Sequence, residues 1–483
     1  MRWRKCAGML VILLLCLPLE IYAGDKFVKT PLKGKFSLER LHSRPFIFGT
    51  SPKMVKWAAD GTKIAFLWND SGERFFDLWM ASIPDGKLTR LTDMKSIPAI
   101  PIEDDTRTER EIKEAEIYNP GIVDFDWSPD GKTIAFTYRD NLFLVPADGS
   151  KSSRIIIKSL KKQSQPRFSP DGRIISFIMD NNLWGYNIDE SSFSQLTTLK
   201  KPDISIDNYY WSPDAEKIAL VTEDTSGHKE IVIPDYVPRY VAVNKRKRSY
   251  VGESITPNQI GIVARTGGLI RWLEFDKPLY YSVFGGSSVM AWAPDGRQFL
   301  VNYMNTFQDW KMYIVDADTL SKKEIYAEHQ DPWFWIIITY WSSGSDKVFF
   351  TSEKTGWRHI YSAPATGGPV AQITDGEWDV LTLSAPEKGN ILVFSSSKIH
   401  PLEQYLFSVD SSGMNMVRLT TKKGSTTLTF GQESISPDGK YTIINFSTVQ
   451  NPPEYYLVDN SSPGSMKRIT HSPLPEFKDL YLG

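Results

Sequence analysis

Apolar residues along this chain fall into short runs of period two, broken by turn residues. Ile134, Phe136 and Tyr138 alternate with Thr133, Ala135 and Thr137. That spacing predicts a strand with one buried face. Ahead of it stands Ser128-Pro129-Asp130-Gly131, a type I turn signature: Pro presets φ at the second position and Gly tolerates the fourth. A second strand, Asn141-Leu-Phe-Leu-Val145, follows, and Ala147-Asp-Gly149 turns the chain again. The unit is therefore predicted to be a small antiparallel meander with an aromatic, Trp127, at its start.

The unit recurs. Trp57-Ala-Ala-Asp-Gly61, Phe168-Ser-Pro-Asp-Gly172, Trp211-Ser-Pro-Asp-Ala215, Trp292-Ala-Pro-Asp-Gly296, Trp341-Ser-Ser-Gly-Ser-Asp346 and Ile435-Ser-Pro-Asp-Gly439 each precede an apolar strand pattern. A degenerate copy, Ala385-Pro-Glu-Lys-Gly389, precedes Ile391-Leu-Val-Phe394. Five of the seven spacings between anchors lie between 41 and 50 residues, and the other two are 70 and 81. Forty-odd residues is the length of a propeller blade. The pattern predicts an all-β chain, an eight-bladed β-propeller with two insertions. Several units end on a polar–aliphatic–Thr closer: Arg90-Leu-Thr92, Gln195-Leu-Thr197, Gln372-Ile-Thr374, Arg418-Leu-Thr420 and Arg468-Ile-Thr470.

The expected organisation is a signal peptide over 1–23, a lead-in over 24–50 and the propeller over 51–483. Arg2, Arg4 and Lys5 form a basic start, Ala7 to Leu19 an apolar run, and Ala23 a small residue for cleavage,. The run is short of the roughly 20 residues a membrane span needs. Leu15 stands before Cys16 where a lipoprotein signal has a small residue. Cys6 and Cys16 are the only cysteines, so the processed chain has none. Export without disulfides suits a periplasm or a secreted protein held together by packing. Phe36-Ser-Leu-Glu-Arg-Leu41 reads as a short helix.

The first insertion, about 94–119, carries an acidic stretch that Asp105 or Thr106 could cap as a helix. Its narrow apolar stripe of Ile112, Ala115 and Ile117 fits a solvated surface helix, with a substrate-facing acidic helix as the alternative. The second insertion, about 224–262, holds Ile233-Pro-Asp-Tyr-Val-Pro-Arg239 and Lys245-Arg-Lys-Arg248. Prolines and the charge run predict an extended excursion. Its bases are either a solvated patch or a contact for an anion or carboxylate, which Arg can hold bidentately.

Of 483 residues, 41% are hydrophobic and 13% aromatic, enough for large cores,. The formal charge is −1, and losing Arg2, Arg4, Lys5 and Glu20 makes it −3. That balance argues against nucleic acid or an anionic membrane as a partner. There is no Gly-x-Ser-x-Gly elbow, phosphate loop or dinucleotide fingerprint. The six histidines lie outside metal-ligand spacing, so no metal or cofactor is expected,. Aromatics of the late units, including Asp331-Pro-Trp-Phe-Trp335, Trp357 and Trp378, are expected in the core between blades, with ligand stacking as the alternative.

Taken together, these motifs resemble the N-terminal β-propeller of the dipeptidyl peptidase IV branch of the prolyl oligopeptidase (S9) serine peptidases. Phe36-Ser-Leu-Glu-Arg-Leu41 with Lys53-Met-Val-Lys-Trp57 is similar to the start of that propeller. Trp211-Ser-Pro-Asp214 followed by Ile233-Pro-Asp-Tyr236 is similar to its insertion blade. Glu353-Lys-Thr-Gly-Trp357-Arg-His-Ile-Tyr361 with Ile373-Thr-Asp-Gly-Glu-Trp378 is similar to a distinctive late blade. The Ser-Pro-Asp-Gly repeat itself is shared with WD40-like and TolB-like propellers. The resemblance implies a propeller that gates an active site and helps bind peptide. The family carries an aromatic-flanked Glu-Glu pair that holds the substrate amine, whereas this sequence reads Lys200-Lys-Pro-Asp-Ile-Ser-Ile-Asp207. Asp203, Asp207, Arg239, Lys245, Arg246 and Arg248 are the candidate peptide-binding residues. The family's catalytic serine, aspartate and histidine belong to an α/β-hydrolase domain not found in these 483 residues, so this chain alone is expected to be non-catalytic. Expected partners are peptide or protein, a hydrolase domain or a second copy. A free-standing propeller that binds peptide or protein is the alternative.

Overall fold

The computed structural model describes residues 37–96, 118–158, 161–236, 240–250, 252–253, 255–280, 289–334, 336–429 and 434–479. Among the described residues there are eight four-stranded antiparallel sheets and one two-stranded ribbon. Each sheet is a blade of an eight-bladed propeller. The degenerate unit forms a full blade, with strands Val380–Ser384, Ile391–His400, Glu403–Asp410 and Val417–Arg418. In each blade the first strand is innermost. The fourth is short in most blades and fully exposed in Ser192–Gln195, whereas that of blade 5, Lys322–His329, runs eight residues and buries Ile325.

The repeat motif builds the turn between first and second strands. In blade 2, Gly131 N donates to Ser128 O (2.9 Å), closing the turn. Ser128 Oγ donates to Asp130 Oδ1 (2.6 Å) and accepts from Thr133 N (2.9 Å). Gly131 has φ +65°, the left-handed region where a Cβ costs energy,. Blades 3, 4 and 8 repeat the Ser–Asp bond. Blade 6 lacks the third-position Asp but supplies Asp346 from two residues further on, at 2.6 Å from Ser342 Oγ.

The motif tryptophans link neighbours. Trp127 Nε1 donates to Lys56 O, Trp292 Nε1 to Tyr210 O and Trp341 Nε1 to Ala291 O. Each acceptor directly precedes the motif aromatic of the blade before. Trp211 reaches the corresponding position through a relay, donating to Ser176 Oγ, which donates to Arg167 O. Eight apolar clusters fill the eight seams. The cluster of Val55, Ile64 and Phe66 with Ile443, Tyr455 and Leu457 joins blade 8 to blade 1 and closes the ring. No blade covers both its own faces, so folding buries all of them together.

The closers have a specific role. Each Thr is buried and accepts an amide of its blade's third strand: Thr92 from Leu78, Thr197 from Leu183, Thr374 from Ile360, Thr420 from Leu406 and Thr470 from Tyr455. The polar residue two positions earlier matches what lies opposite. Arg90 faces the buried Asp77 (2.7 Å) and Arg468 the buried Glu454 (2.9 Å). The glutamine closers stand in blades whose corresponding residues are Asn182 and His359, partners of Thr197 and Thr374. Arg90 and Arg468 thus each meet a buried acid, which a lone carboxylate would need, whereas Arg418 lies over the Tyr405 ring.

The lead-in helix spans Leu38–His42 with Ser37 as its cap. Arg40 pairs with Glu476, and Leu474 N donates to Ile47 O (3.0 Å), so the two ends of the described ring meet. The second insertion is extended, as its prolines predict. Strands Lys229–Asp235 and Ala242–Arg248 form an antiparallel ribbon. The ring resumes at Asn258–Ala264, which pairs with Lys217–Asp224. The acidic helix predicted in the first insertion, with Asp105, Thr106, Ile112, Ala115 and Ile117, lies outside the described residues.

Candidate functional site: the loop face

Strand direction gives the ring two unlike faces. All first-to-second turns lie on one, the turn face. The second-to-third connections, the links between blades and both ends of the described ring lie on the other, the loop face. The ribbon continues the second-to-third connection of blade 4 and so leaves from the loop face.

Exposed large apolar residues concentrate there. Leu38, Tyr118, Trp333, Trp357, Leu402 and Val449 all lie in loop-face segments, whereas the turn face shows Leu269 and Met414. Trp333 (58% exposed) and Trp357 (40%) depart from the core position expected for the late aromatics. Phe334, Trp341 and Trp378 are buried as expected. Trp335 lies outside the described residues.

The candidate peptide contacts separate into two places. The ribbon register sets Val232 opposite Lys245 and Glu230 opposite Lys247. Lys245 Nζ pairs with Glu230 (2.9 Å), and Lys247 Nζ with Asp203 (2.7 Å). Asp203 O also accepts Thr225 N (2.9 Å), so this residue fastens the ribbon base to the ring. Alternation along a strand puts Arg246 and Arg248 on the opposite ribbon face. Both are exposed and make no ion pair among the described residues. Arg239 lies outside the described residues.

Asp207 sits elsewhere, on the innermost strand Ile204–Trp211, four residues from Asp203, or about 13 Å at an extended rise,. It occupies a register break between Ile206 and Asn208. Bulges of this kind re-aim a side chain. Gln165 Nε2 donates to Asp207 O (2.7 Å), and Tyr209 Oη to Gln165 O (2.6 Å), fixing the bulge from blade 3. Partial burial, and then the nearby Glu223, hold the Asp207 carboxyl above the ordinary aspartate range. Glu223 accepts Ser205 Oγ (3.2 Å). Asp207 and Glu223 are thus two half-buried carboxyls on adjacent strands of blade 4. Glu223 was absent from the sequence candidates. It stands in a neighbouring strand sixteen residues from Asp207, and only the sheet register brings the two near.

Lys53 is a second ring group that sequence alone did not single out. Its Nζ lies 3.8 Å from the Phe76 ring centroid, and burial lowers its pKa.

A model of the dipeptidyl peptidase IV (DPP IV) N-terminal region matches residues 156–453, more than half the chain. The chain belongs to this family. As a DPP IV N-terminal region it is an S9 dipeptidyl peptidase-related domain. Dipeptidyl peptidase 4 of Trichophyton equinum is 24% identical over 278 residues, covering 54% of this chain and 35% of that protein. A probable dipeptidyl peptidase 4 of Aspergillus clavatus is 24% identical over 276 residues, covering 53% and 35%. This chain thus spans about a third of the length of these relatives. The crystal structure of Porphyromonas gingivalis dipeptidyl peptidase 4 is similar with a TM-score of 0.66 and 18% identity. It covers 91% of this chain and 62% of that one, a likeness of fold.

Proposed function

We propose that this propeller is the substrate-gating, peptide-binding part of an exported S9 peptidase, and that its loop face is the face a hydrolase domain covers. One observation carries this reading: the exposed apolar side chains gather on the loop face, where both ends of the described ring meet. Exposed apolar surface of that kind is costly without a cover. Export rests on the basic–apolar–small pattern of residues 1–23.

In this reading Asp207 and Glu223 take the ammonium group of a peptide, and Arg246 and Arg248 take anionic groups at the ribbon. The acidic pair supplies two carboxyls where the family's Glu-Glu motif is missing from the sequence. Hydrolysis belongs to a separate domain: nucleophilic cleavage needs an activated Ser, Thr or Cys beside a base, with oxyanion donors.

Three measurements test this. The coding sequence immediately downstream is expected to encode an in-frame hydrolase. A stop followed by an unrelated neighbour would instead support a free-standing propeller. The purified processed chain is expected to turn over no Xaa-Pro or Xaa-Ala reporter and to resist fluorophosphonate labelling. Stoichiometric labelling of one serine, abolished by unfolding, would sink the division of labour. Asp207→Asn and Glu223→Gln are each expected to weaken a free-amine peptide by about tenfold, about 1.4 kcal/mol, and to leave its N-acetylated form unaffected. Equal losses for both peptides would remove the acidic pair from the site.

A further inference from the structure

Blades 1, 2, 4, 5 and 6 begin their turn motif on tryptophan, but blade 3 begins on Phe168. A phenyl ring fills less space than an indole and has no N–H to give the preceding blade. On the turn face, the seam between blades 2 and 3 holds a cavity of about 570 Å³ with Phe168 in its wall. Leu144 and Ile188 line it beside Phe168, and Lys151 and Arg154 stand at its rim. Both cations are exposed, and neither makes an ion pair among the described residues. The cavity's acids are already engaged. Asp130 accepts Ser128 Oγ and Lys132 N, with Lys132 Nζ 3.6 Å away. Asp171 accepts Ser169 Oγ (2.6 Å) and pairs with Arg265 (2.9 Å).

We propose that this cavity is a binding site for an apolar carboxylate. The aromatic or aliphatic body packs against Phe168 and Leu144, and the carboxylate meets Arg154 and Lys151. The volume lies within the range of small-molecule sites, which combine apolar walls with a few placed polar groups. A guanidinium is suited to a carboxylate through two parallel N–H bonds. Unengaged cations beside an apolar wall, with the local acids paired elsewhere, select an anion that carries an apolar group. Two sources share that chemistry: the C-terminal residue of a peptide and a free carboxylic acid. The site lies on the opposite face from the acidic pair of blade 4 and is independent of it.

Calorimetric titration of the whole chain at low salt tests the proposal. The probes are 3-phenylpropionate, its amide, and a tetrapeptide ending in phenylalanine as the acid and as the amide. Each acid is expected to bind at least about tenfold tighter than its amide. Arg154→Gln with Lys151→Gln is expected to erase that preference. Phe168→Trp, which installs the residue used by five other blades, is expected to fill the cavity and remove binding of all four probes. If that variant fails to fold, the rim variants still decide the matter. Equal binding of acid and amide, unchanged affinity in the rim double variant, or no binding up to about ten millimolar overturns the proposal. A peptide acid that binds more than about tenfold tighter than 3-phenylpropionate supports the site and assigns it to peptide C-termini. Equal affinity supports it as a site for small carboxylates.

Discussion

The ring and the ribbon are made of the same material. Both are antiparallel strands that carry β-branched apolar residues. In the ring, strand Lys347–Ser352 is buried at five consecutive positions because a blade packs on each side. In the ribbon, strand Lys229–Asp235 has no buried position. Val232 and Val243 are 54% and 53% exposed, and Tyr236 is 77% exposed. The difference comes from stacking. A blade is one layer of a closed series, whereas the ribbon is a two-stranded sheet with nothing stacked on it. An isolated hairpin of this kind is marginal in water, and an exposed edge invites pairing. Three of its five bases are tied down by acids, Lys229 by Glu253, Lys245 by Glu230 and Lys247 by Asp203. The ring buries its apolar surface between blades, whereas the ribbon leaves its own exposed.

That contrast can be broken most sharply in the ring. Phe350 is fully buried among Trp310, Tyr326 and Tyr361. Phe350→Ala is expected to cost about 3–5 kcal/mol, read as one shifted transition in urea rather than two. A second transition would show that blades unfold separately. Next comes the carboxylate that closes blade 8. Glu454 accepts Thr470 Oγ1 (2.5 Å) and Ser472 N (2.6 Å) and pairs with Arg468. Glu454→Ala strands these donors and is expected to cost about 3 kcal/mol. A loss under about 1 kcal/mol would mean that water replaces the carboxylate.

Smaller effects belong to turns and ribbon. Ser128→Ala removes two hydrogen bonds of one turn and is expected to cost about 1 kcal/mol in chemical denaturation. Val232→Ser with Val243→Ser is expected to change stability by no more than about 0.5 kcal/mol, while weakening any partner that docks on the ribbon. A large loss would show that the ribbon supports the ring. Least of all is the acid sensitivity of a single turn. The hydrogen bond from Ser128, and then the Lys132 amide, hold the Asp130 carboxyl below the ordinary aspartate value. A carboxyl lowered by folding adds stability that is present above its unfolded pKa and is lost as pH falls through the folded one. Asp130 is largely solvated, so Asp130→Asn is expected to flatten acid unfolding by only a few tenths of a kcal/mol.

Much of the ring was legible because each signal is local. Ser128 to Gly131 encodes its turn within four residues, and Ile134, Phe136 and Tyr138 encode their strand by alternation. The closers were visible as a pattern. Their meaning was not, because Thr470 acts on Tyr455 and Glu454 across a strand pair. The exposed Trp333 and Trp357 were misjudged for a related reason: an aromatic near a blade junction is core only when the loop turns it inward. Of the candidate site, the bases of the ribbon and Asp207 were visible in the sequence as candidates. Glu223 and the cavity beside Phe168 needed the register and the packing of blades.

The sequence by itself determined the number of blades, the place where the ribbon leaves the ring, and the turn that begins each unit. These depend on periodicity and on residues within a few positions of one another. Only the tertiary structure decided which carboxyls share a site, which cations stay unpaired and which face exposes its apolar residues. Those properties arise from distances between residues far apart in sequence, and the chain fixes such distances only when the eighth blade packs against the first.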